Sequence, residues 1–461
     1  MYNNIDKYLG ENMDKYYLTN GNLAKNLIKF ALPFLIACIL QAMYGACDLF
    51  VVGQFATTAD TTAVGIGSQV MQTITGIVIG LTTGSSVLIG QYFGGKKENK
   101  LAKAIKTTIV LFLIISIVLM FVIAGASPLL AKLMQTPHEA YQKTTWYIFI
   151  CGVGTIFIMA FNVISAILRG LGDSKTPMII IAISTVINIV LDLLFVIVLK
   201  WGTIGVALAT VVAQTISVVC GIIIIKSKGF GINAQKSDYQ YDKSDSKQII
   251  KYGIPIAIQS AIVGLSFLII TALVNSMGYT ADGLVESSAI ATCEKVIIFL
   301  MLPTQALSSA LAPIVAQNVG AGNEKRARMA LRISIGLSLI FACVFVIVGE
   351  IIPKELNSIF TSNAEVANLA GQYLRTYIID CILVCFIFCF NSYFSGKGKT
   401  GFVLMHSVIV TCLIRIPLFI LFTRMNNPSF IWIGTAAPIA SIVSIAMCYI
   451  YMHHLKKTSN H

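Results

Sequence analysis

Charged side chains are scarce in this sequence: they make up 11% of its 461 residues, whereas 56% of the residues are hydrophobic. A soluble chain carries about 25% charged residues, so an ordinary soluble domain is excluded. The apolar residues stand in runs such as 27–52 and 107–126, long enough for the roughly 20 residues that a helix needs to cross a bilayer. The runs do not alternate between apolar and polar residues as strands of a membrane barrel do. We therefore predict helical spans.

Signals for enzymatic chemistry are also missing from the sequence. The segment GKGKT at 396–400 has Tyr393 where a phosphate-binding loop requires glycine, so no ATP site is expected. Cys381, Cys385 and Cys389 share one helical face without a nearby histidine, which is typical of small buried hydrophobic residues. We expect a protein that is not an enzyme, holds no cofactor and draws its energy from an ion gradient.

The apolar runs predict an all-α membrane protein with twelve transmembrane helices. Each run is separated from the next by a short polar segment. The predicted spans are 26–52, 62–89, 106–126, 143–168, 177–199, 203–225, 249–275, 287–314, 330–352, 367–394, 401–423 and 431–453.

The distribution of basic residues orients these spans. With a cytoplasmic N-terminus, most of the 33 lysine and arginine residues fall in loops on the cytoplasmic side. The basic residues are spread over separate segments, so nucleic-acid binding is not expected. We predict a multi-pass protein of the bacterial cytoplasmic (inner) membrane with both termini in the cytoplasm. The opposite loops hold Lys132, Lys143, Lys200, Lys354, Arg375 and Arg424.

The two halves of the chain repeat each other. LIKFALP at 27–33 is echoed by IIKYGIP at 249–255, and GQYFGGKKENKLAKA at 90–104 by AQNVGAGNEKRARMA at 316–330. An even number of spans in each repeat gives both halves the same orientation. This parallel arrangement is typical of transporters in which two bundles rock around a central cavity.

The longest polar stretch predicts where the two bundles are joined. We expect an N-lobe at 1–225 with spans 1–6, a cytoplasmic linker at 226–247, and a C-lobe at 248–461 with spans 7–12. The linker is too short to be a domain of its own.

Ionisable residues inside spans are costly in lipid, so each is a functional candidate. Acids outnumber bases among them, which predicts a cavity that favours cations. The acids are Asp48, Asp192, Glu294 and Asp380, and the bases are Lys295 and Arg415.

The first span places Asp48 on one helical face with Tyr44 and Gln41, and Pro33 interrupts the backbone hydrogen bonds earlier in that span. In span 5, Asn188 and Asp192 share a face in the same way. Span 6 adds the hydroxyl of Thr210. Carboxylate, amide and hydroxyl oxygens suit Na⁺, and closely paired carboxylates can equally carry a proton. The alternative role for such polar residues is to hold helices together.

Several motifs together resemble the multidrug and toxic compound extrusion (MATE) transporters, over nearly the whole chain. The motifs are the proline, glutamine, tyrosine and aspartate of span 1, RGLGDSKTP before span 5, the Asn–Asp pair within span 5, and AQNVGAGNEKRA after span 8. The resemblance implies two six-helix bundles in a V and drug efflux coupled to Na⁺ or H⁺ entry.

By position, the resemblance assigns Asp48, Asn188, Asp192 and Thr210 to an N-lobe cation site, and Pro33 to a bend in span 1. Gln41 and Tyr44, with Glu294 and Asp380, are predicted to line the substrate cavity. One branch of the family also uses acids on spans 7 and 10. Here span 7 has Gln259 instead of an acid and Asp380 is a partial match, which favours the branch that relies on the N-lobe site.

The sequence thus predicts a Na⁺- or H⁺-coupled antiporter that exports lipophilic, cationic drugs or toxic compounds by alternating access. We expect small-molecule substrates, a bilayer environment and a monomer. The alternative is a flippase of the same fold for lipid-linked precursors or polysaccharide. A flippase would need several intramembrane bases for an anionic pyrophosphate, and only Lys295 and Arg415 are available.

Overall fold

A computed structural model gives the structure of residues 18–228, 240–275, 284–361, 363–425 and 430–458. Helices dominate these residues. In the first part of the chain they are α1 Leu23–Phe55, α2 Thr58–Gly94, α3 Glu98–Leu133, α4 His138–Val153, α5 Thr155–Gly170, α6 Lys175–Asp192 and α7 Gly202–Lys228.

The second part continues in the same manner. Its helices are α8 Lys243–Asn275, α9 Leu284–Gly320, α10 Glu324–Ile351, the short α11 Pro353–Ser358, α12 Ala364–Tyr377, α13 Asp380–Gly396, α14 Thr400–Val410, α15 Ile416–Thr423 and α16 Phe430–Thr458.

The helices account for every predicted span. Within the described residues, ten helical segments are long and apolar enough to cross a membrane, and the number rises to 12 if two bent pairs each form one span. The bends lie between α4 and α5, at 47°, and between α12 and α13, at 55°. The helices extend past most predicted ends, because polar residues continue a helix beyond the hydrocarbon.

Two spans contain a stretch of π-helix, in which the backbone bonds run from residue i to i+5. The first, π1, covers Leu193–Val198 and follows directly on Asp192. The second, π2, covers Thr411–Arg415 and joins α14 to α15. Apolar periodicity does not distinguish such a stretch from an α-helix, so the sequence predicts neither.

The start of α6 is fixed by Asp173. Its carboxylate accepts hydrogen bonds from the backbone N–H groups of Lys175 and Thr176, both at 3.0 Å, and from the Thr176 hydroxyl at 2.5 Å. The side chain that satisfies the first N–H groups of the helix is therefore that of Asp173, whereas the Ser174 side chain makes no capping bond.

The described residues form two compact units. The first contains residues up to Ala257 together with Pro313–Arg326. Within it, Val52, Met71, Tyr147 and Val206 belong to one buried apolar cluster that joins α1, α2, α4 and α7. A second cluster joins α2, α3, α5 and the start of α8.

Glycines bring α2 close to α8 in this first unit. Gly80 lies against the backbone of Ala257, and Gly84 lies against that of Gly253. A Cβ atom at either glycine would collide with main-chain atoms. Such small-residue contacts are a common way to pack helices in membranes, where the hydrophobic effect does not drive helices together.

The second unit contains Ile258–Ala312 and the residues from Ala327 onward. Its main apolar cluster includes Cys293, Tyr373, Tyr377, Phe419 and Ala437, from α9, α12, α15 and α16. The predicted linker at 226–247 lies partly outside the described residues, since α7 continues to Lys228 and α8 begins at Lys243. The predicted lobe boundaries at 225 and 248 stay a prediction.

Candidate functional site

A buried polar group lies in the first unit where α1, α6 and α7 meet. Asp48, on α1, is 3% exposed, and Asn188 and Asp192, on α6, are fully buried. The Asp48 carboxyl is close enough to interact with both Asn188 and Asp192. The structure thus brings together residues that are far apart in the sequence but were predicted to act together.

Thr210 and Tyr44 complete one side of this group. The Tyr44 hydroxyl, on α1, faces the Thr210 hydroxyl on α7. Tyr147, on α4, is buried beside the same group. Gln41 is exposed, so the structure does not bring its side chain into the buried group.

Most polar side-chain atoms of this group are buried beyond hydrogen-bond distance of any partner in the described chain. In the part of the chain that the structure describes, the atoms without a partner include Asp48 Oδ1, both carboxylate oxygens of Asp192, both amide atoms of Asn188, Thr210 Oγ1 and Tyr44 Oη. Most buried polar groups in proteins are satisfied, so a concentration of orphaned oxygens in one place indicates a site for a ligand.

Gln214 is a further candidate that the sequence reasoning missed. Its Oε1 atom is also buried without a partner in the described chain. It lies one helical turn after Thr210, so the two side chains share a face of α7. The four-residue spacing that linked Asn188 to Asp192 would have found it.

The chemistry of this group is that of a site for a small hard cation or for protons. The Asp48 and Asp192 carboxyls influence each other, and the Asn188 amide lies near Asp48. In the described chain, no basic side chain is found among the groups that influence these two carboxyls. Buried carboxylates without a counter-charge bind a cation or take up a proton. The atoms available to coordinate a cation are oxygens, which suit hard ions. Among the described residues, no cluster of three or more His, Cys, Asp or Glu residues suited to a metal occurs.

The helix changes its winding at this site. Asp192 ends α6, and π1 begins with the next residue. The N–H of Leu199 donates to the carbonyl of Leu194 at 3.0 Å, which is the wider π-type bond. Stretches of π-helix occur often at functional sites.

The second unit holds a different group around the other two predicted acids. Asp380, 7% exposed, begins α13 at the bend after α12, and Glu294 lies half-buried on α9. Arg415, the last residue of π2, acts on both carboxyls. Ser441 lies beside Asp380. A positive charge therefore acts on both of these acids from within electrostatic range, unlike on Asp48 and Asp192.

His406 serves a structural role in the second unit. Its Nε2 atom lies 2.8 Å from Asn391 Oδ1, and the Ser444 hydroxyl lies 3.2 Å from its Nδ1. Both ring nitrogens are therefore satisfied by α13 and α16, which this histidine joins.

The described residues contain ten to twelve apolar spans, with a buried carboxylate pair that lacks a basic partner where three of them meet. This combination is typical of a membrane protein that moves ions or solutes. A family model described as MatE matches residues 33–194 and 255–421, more than half of the chain. The chain belongs to the MatE family of multidrug efflux transporters. It is accordingly a multi-pass membrane transporter of small molecules and not an enzyme.

Individual proteins agree with this assignment. The chain is 28% identical to "Probable multidrug resistance protein YpnP" of Bacillus subtilis, over 92% of this chain and 93% of that protein. It is 23% identical to "Probable multidrug resistance protein YoeA" of the same organism, over 94% of each. A solved structure described as the outward-facing conformation of a multidrug resistance MATE family transporter has a TM-score of 0.88 at 20% identity, over 96% of this chain and 98% of that one. The predicted all-α, twelve-helix MATE-like fold is confirmed.

Proposed function

We propose that this transporter is an antiporter that exports lipophilic, cationic drugs or toxic compounds across the cytoplasmic membrane and is driven by the entry of Na⁺ or H⁺. The observation that carries the proposal is the pair of buried carboxyls, Asp48 and Asp192, without a basic partner in the described chain. The names of the relatives support drug export, and this pair supports coupling to a cation.

The coupling ion is a substrate of the cycle. Asp48, Asp192, Asn188 and Thr210 offer the oxygens that would surround Na⁺, and either carboxyl can accept a proton instead. In both cases the entering charge cancels the repulsion between the carboxyls. Neutralisation lets α1, α6 and α7 pack more closely, so ion binding favours one arrangement of these helices over another.

Pro33 is the position at which α1 can bend when the coupling ion binds at Asp48. It lies inside the helix Leu23–Phe55, where the missing N–H removes one backbone hydrogen bond. Tyr44 and Asp48 lie on the same helix, so a change at the carboxyl reaches the proline through a continuous helical rod. We propose that bending at Pro33 is the step that alters the substrate cavity, to which we assign Gln41, Tyr44, Glu294 and Asp380.

The proposed cycle uses alternating access. Ion binding on the outer face expels the drug, and the return to the inward state releases the ion into the cytoplasm and loads the next drug. The lobes 1–225 and 248–461, joined at 226–247 with both termini in the cytoplasm, are the two bodies that would move. We propose that the monomer is the functional unit.

The test uses purified full-length protein in liposomes loaded with a fluorescent lipophilic cation, ethidium. A Na⁺ gradient and a pH gradient are imposed separately, and ethidium efflux is recorded for the parent, Asp48→Asn, and the control Glu139→Gln. Glu139 is an exposed acid at the start of α4. We expect one gradient to drive efflux in the parent and the control but not in Asp48→Asn. Unimpaired gradient-driven efflux by Asp48→Asn would contradict the proposal.

A further inference from the structure

A buried carboxylate outside the candidate cation site ties together three parts of the first unit. Asp60, near the start of α2, is 6% exposed. Its Oδ2 atom accepts from Lys143 Nζ at 2.7 Å and from the Thr57 hydroxyl at 2.5 Å. Its Oδ1 atom accepts from the Thr203 hydroxyl at 2.7 Å and from the Thr203 N–H at 3.2 Å.

This arrangement exceeds what the start of a helix requires. Thr57 and Asp60 form a reciprocal capping box, which satisfies the first N–H groups of α2. The bonds from Lys143 and Thr203 add nothing to that cap. The Lys143 bond attaches α4 to the start of α2, and the Thr203 bonds attach the start of α7, with the turn before it, to the same place. The acceptor of each bond is a full negative charge.

The turn that Asp60 holds is tightly constrained. Lys200 and Gly202 both have positive φ, at 56° and 49°. The Trp201 N–H donates to the Phe195 carbonyl at 2.9 Å, and the two rings lie 5.2 Å apart. Gly202 lies directly against the Asp60 carboxylate, so a side chain there would displace it. The turn is thus held by contacts with Phe195 on one side and with Asp60 on the other.

The same turn connects two residues of the candidate cation site. Asp192 precedes π1, and Thr210 lies about two helical turns beyond Thr203 on α7. On the other side of Asp60, Lys143 is one turn from Tyr147, which is buried beside Asp48 and Asp192. The bonds from Lys143 and Thr203 therefore each connect Asp60 to a helix that carries a residue at or beside the cation site.

We propose that Asp60 is a positioning residue, which sets the spacing between Asp192 and Thr210 by clamping their connecting turn to α2 and α4. The proposal rests on the proposed function, since it assumes that those two residues bind the coupling ion. Loss of a contact that orients a metal ligand directly typically weakens ion affinity by about 10- to 100-fold. Asp60 would orient Asp192 and Thr210 indirectly, through π1 and α7, so the lower end of this range sets the expectation.

Trp201 provides a local optical signal for the test. In a Trp146→Phe, Trp432→Phe background it is the remaining tryptophan of the chain. Purified full-length protein is titrated with NaCl at fixed pH and, separately, with acid in the absence of Na⁺. The half-saturating cation concentration is read from Trp201 fluorescence, and the melting temperature is measured in parallel.

The variants are Asp60→Asn, Thr203→Val and Thr203→Ser. Serine keeps the hydroxyl that bonds Asp60, whereas valine removes it at nearly unchanged volume. We expect the half-saturating concentration to rise at least about tenfold in Asp60→Asn and Thr203→Val and to stay at the parent value in Thr203→Ser. Because Thr203→Val keeps both charges, it tests the clamp even if Asp60→Asn fails to fold.

Two results overturn the proposal and separate its failure from that of the cation site. If Asp48→Asn removes the cation response while Asp60→Asn and Thr203→Val titrate like the parent, the clamp has no positioning role, even if both variants melt earlier. If Asp48→Asn leaves the cation response intact, the proposed cation site itself is wrong, and the clamp proposal falls with it.

Discussion

Gly94 of α2 lies directly against the main-chain carbonyl of Gln317 on α9. The reverse contact also exists, because Gly320 lies against the carbonyl of Gln91. The two glycines and the two glutamines occupy equivalent positions in the repeated segments 90–104 and 316–330. The repeat therefore reflects a reciprocal crossing of two helix ends, where only glycine allows the backbones to approach.

Gly94→Ala and Gly320→Ala are expected to destabilise the protein, because each added Cβ collides with backbone that cannot move aside. The cost of such overpacking is about 1–3 kcal/mol. Thermal unfolding of the detergent-solubilised protein measures it. Gly336→Ala is the matched control, since this helical glycine has open space around it. It should be neutral or slightly stabilising, and equal melting temperatures for all three variants would refute the interpretation.

The two carboxyls of the cation site are expected to act as one unit. Asp192→Asn should reduce gradient-driven ethidium efflux to the level of ethidium-loaded liposomes without protein, which is also the expected result for Asp48→Asn. The double variant should be no worse than either single variant, because removing one member already removes the function of both. If each single variant keeps part of the efflux rate and the double variant loses the two contributions additively, the two carboxyls bind separate ions.

Thr210→Val is expected to weaken cation binding without unfolding the protein, because it replaces an orphaned hydroxyl by a methyl group of similar size. A tenfold rise in the half-saturating cation concentration corresponds to about 1.4 kcal/mol. Thr215→Val is the matched control on the same helix, since the Thr215 hydroxyl bonds the Val211 carbonyl at 2.8 Å within α7. If both variants shift binding equally, Thr210 is not a ligand.

Arg415 is expected to be needed for the stability of the second unit, because its positive charge acts on both Glu294 and Asp380. Removing this charge leaves two largely buried carboxyls without a compensating charge, so Arg415→Gln should lower the melting temperature. Adding Glu294→Gln should recover part of the loss by removing a negative charge. Arg375→Gln, at an exposed position, is the control. A rescue that fails would indicate that Arg415 acts through contacts other than charge.

Much of the fold could be predicted because the bilayer imposes simple rules. A helix of hydrophobic residues must be long enough to cross the hydrocarbon, so the predicted spans coincide with observed helices to within several residues at most ends. The pairing of Asn188 with Asp192 followed from helical spacing alone. The same spacing rule, applied to Thr210, predicts that Gln214 shares its face of α7.

Other features depended on residues distant in the sequence. Nothing near Asp60 indicates that Lys143 and Thr203 will meet it, because their approach results from how α2, α4 and α7 pack. Gln41 shares a face with Tyr44 in the sequence, yet it is exposed, since helical spacing does not say what a face will contact. The π-helices π1 and π2 are likewise products of packing.

The sequence by itself determined that this protein is a helical membrane protein, since span length and scarce charge follow from the cost of exposing polar groups to lipid. The repeat of the two halves pointed further, to a transporter. It also named the candidate acids, because an ionisable residue within a span is costly in lipid and is a functional candidate by default. Only the tertiary structure decided their environments. It left Asp48 and Asp192 without a basic partner in the described chain and brought Arg415 within electrostatic range of Glu294 and Asp380, because charge balance depends on which helices meet.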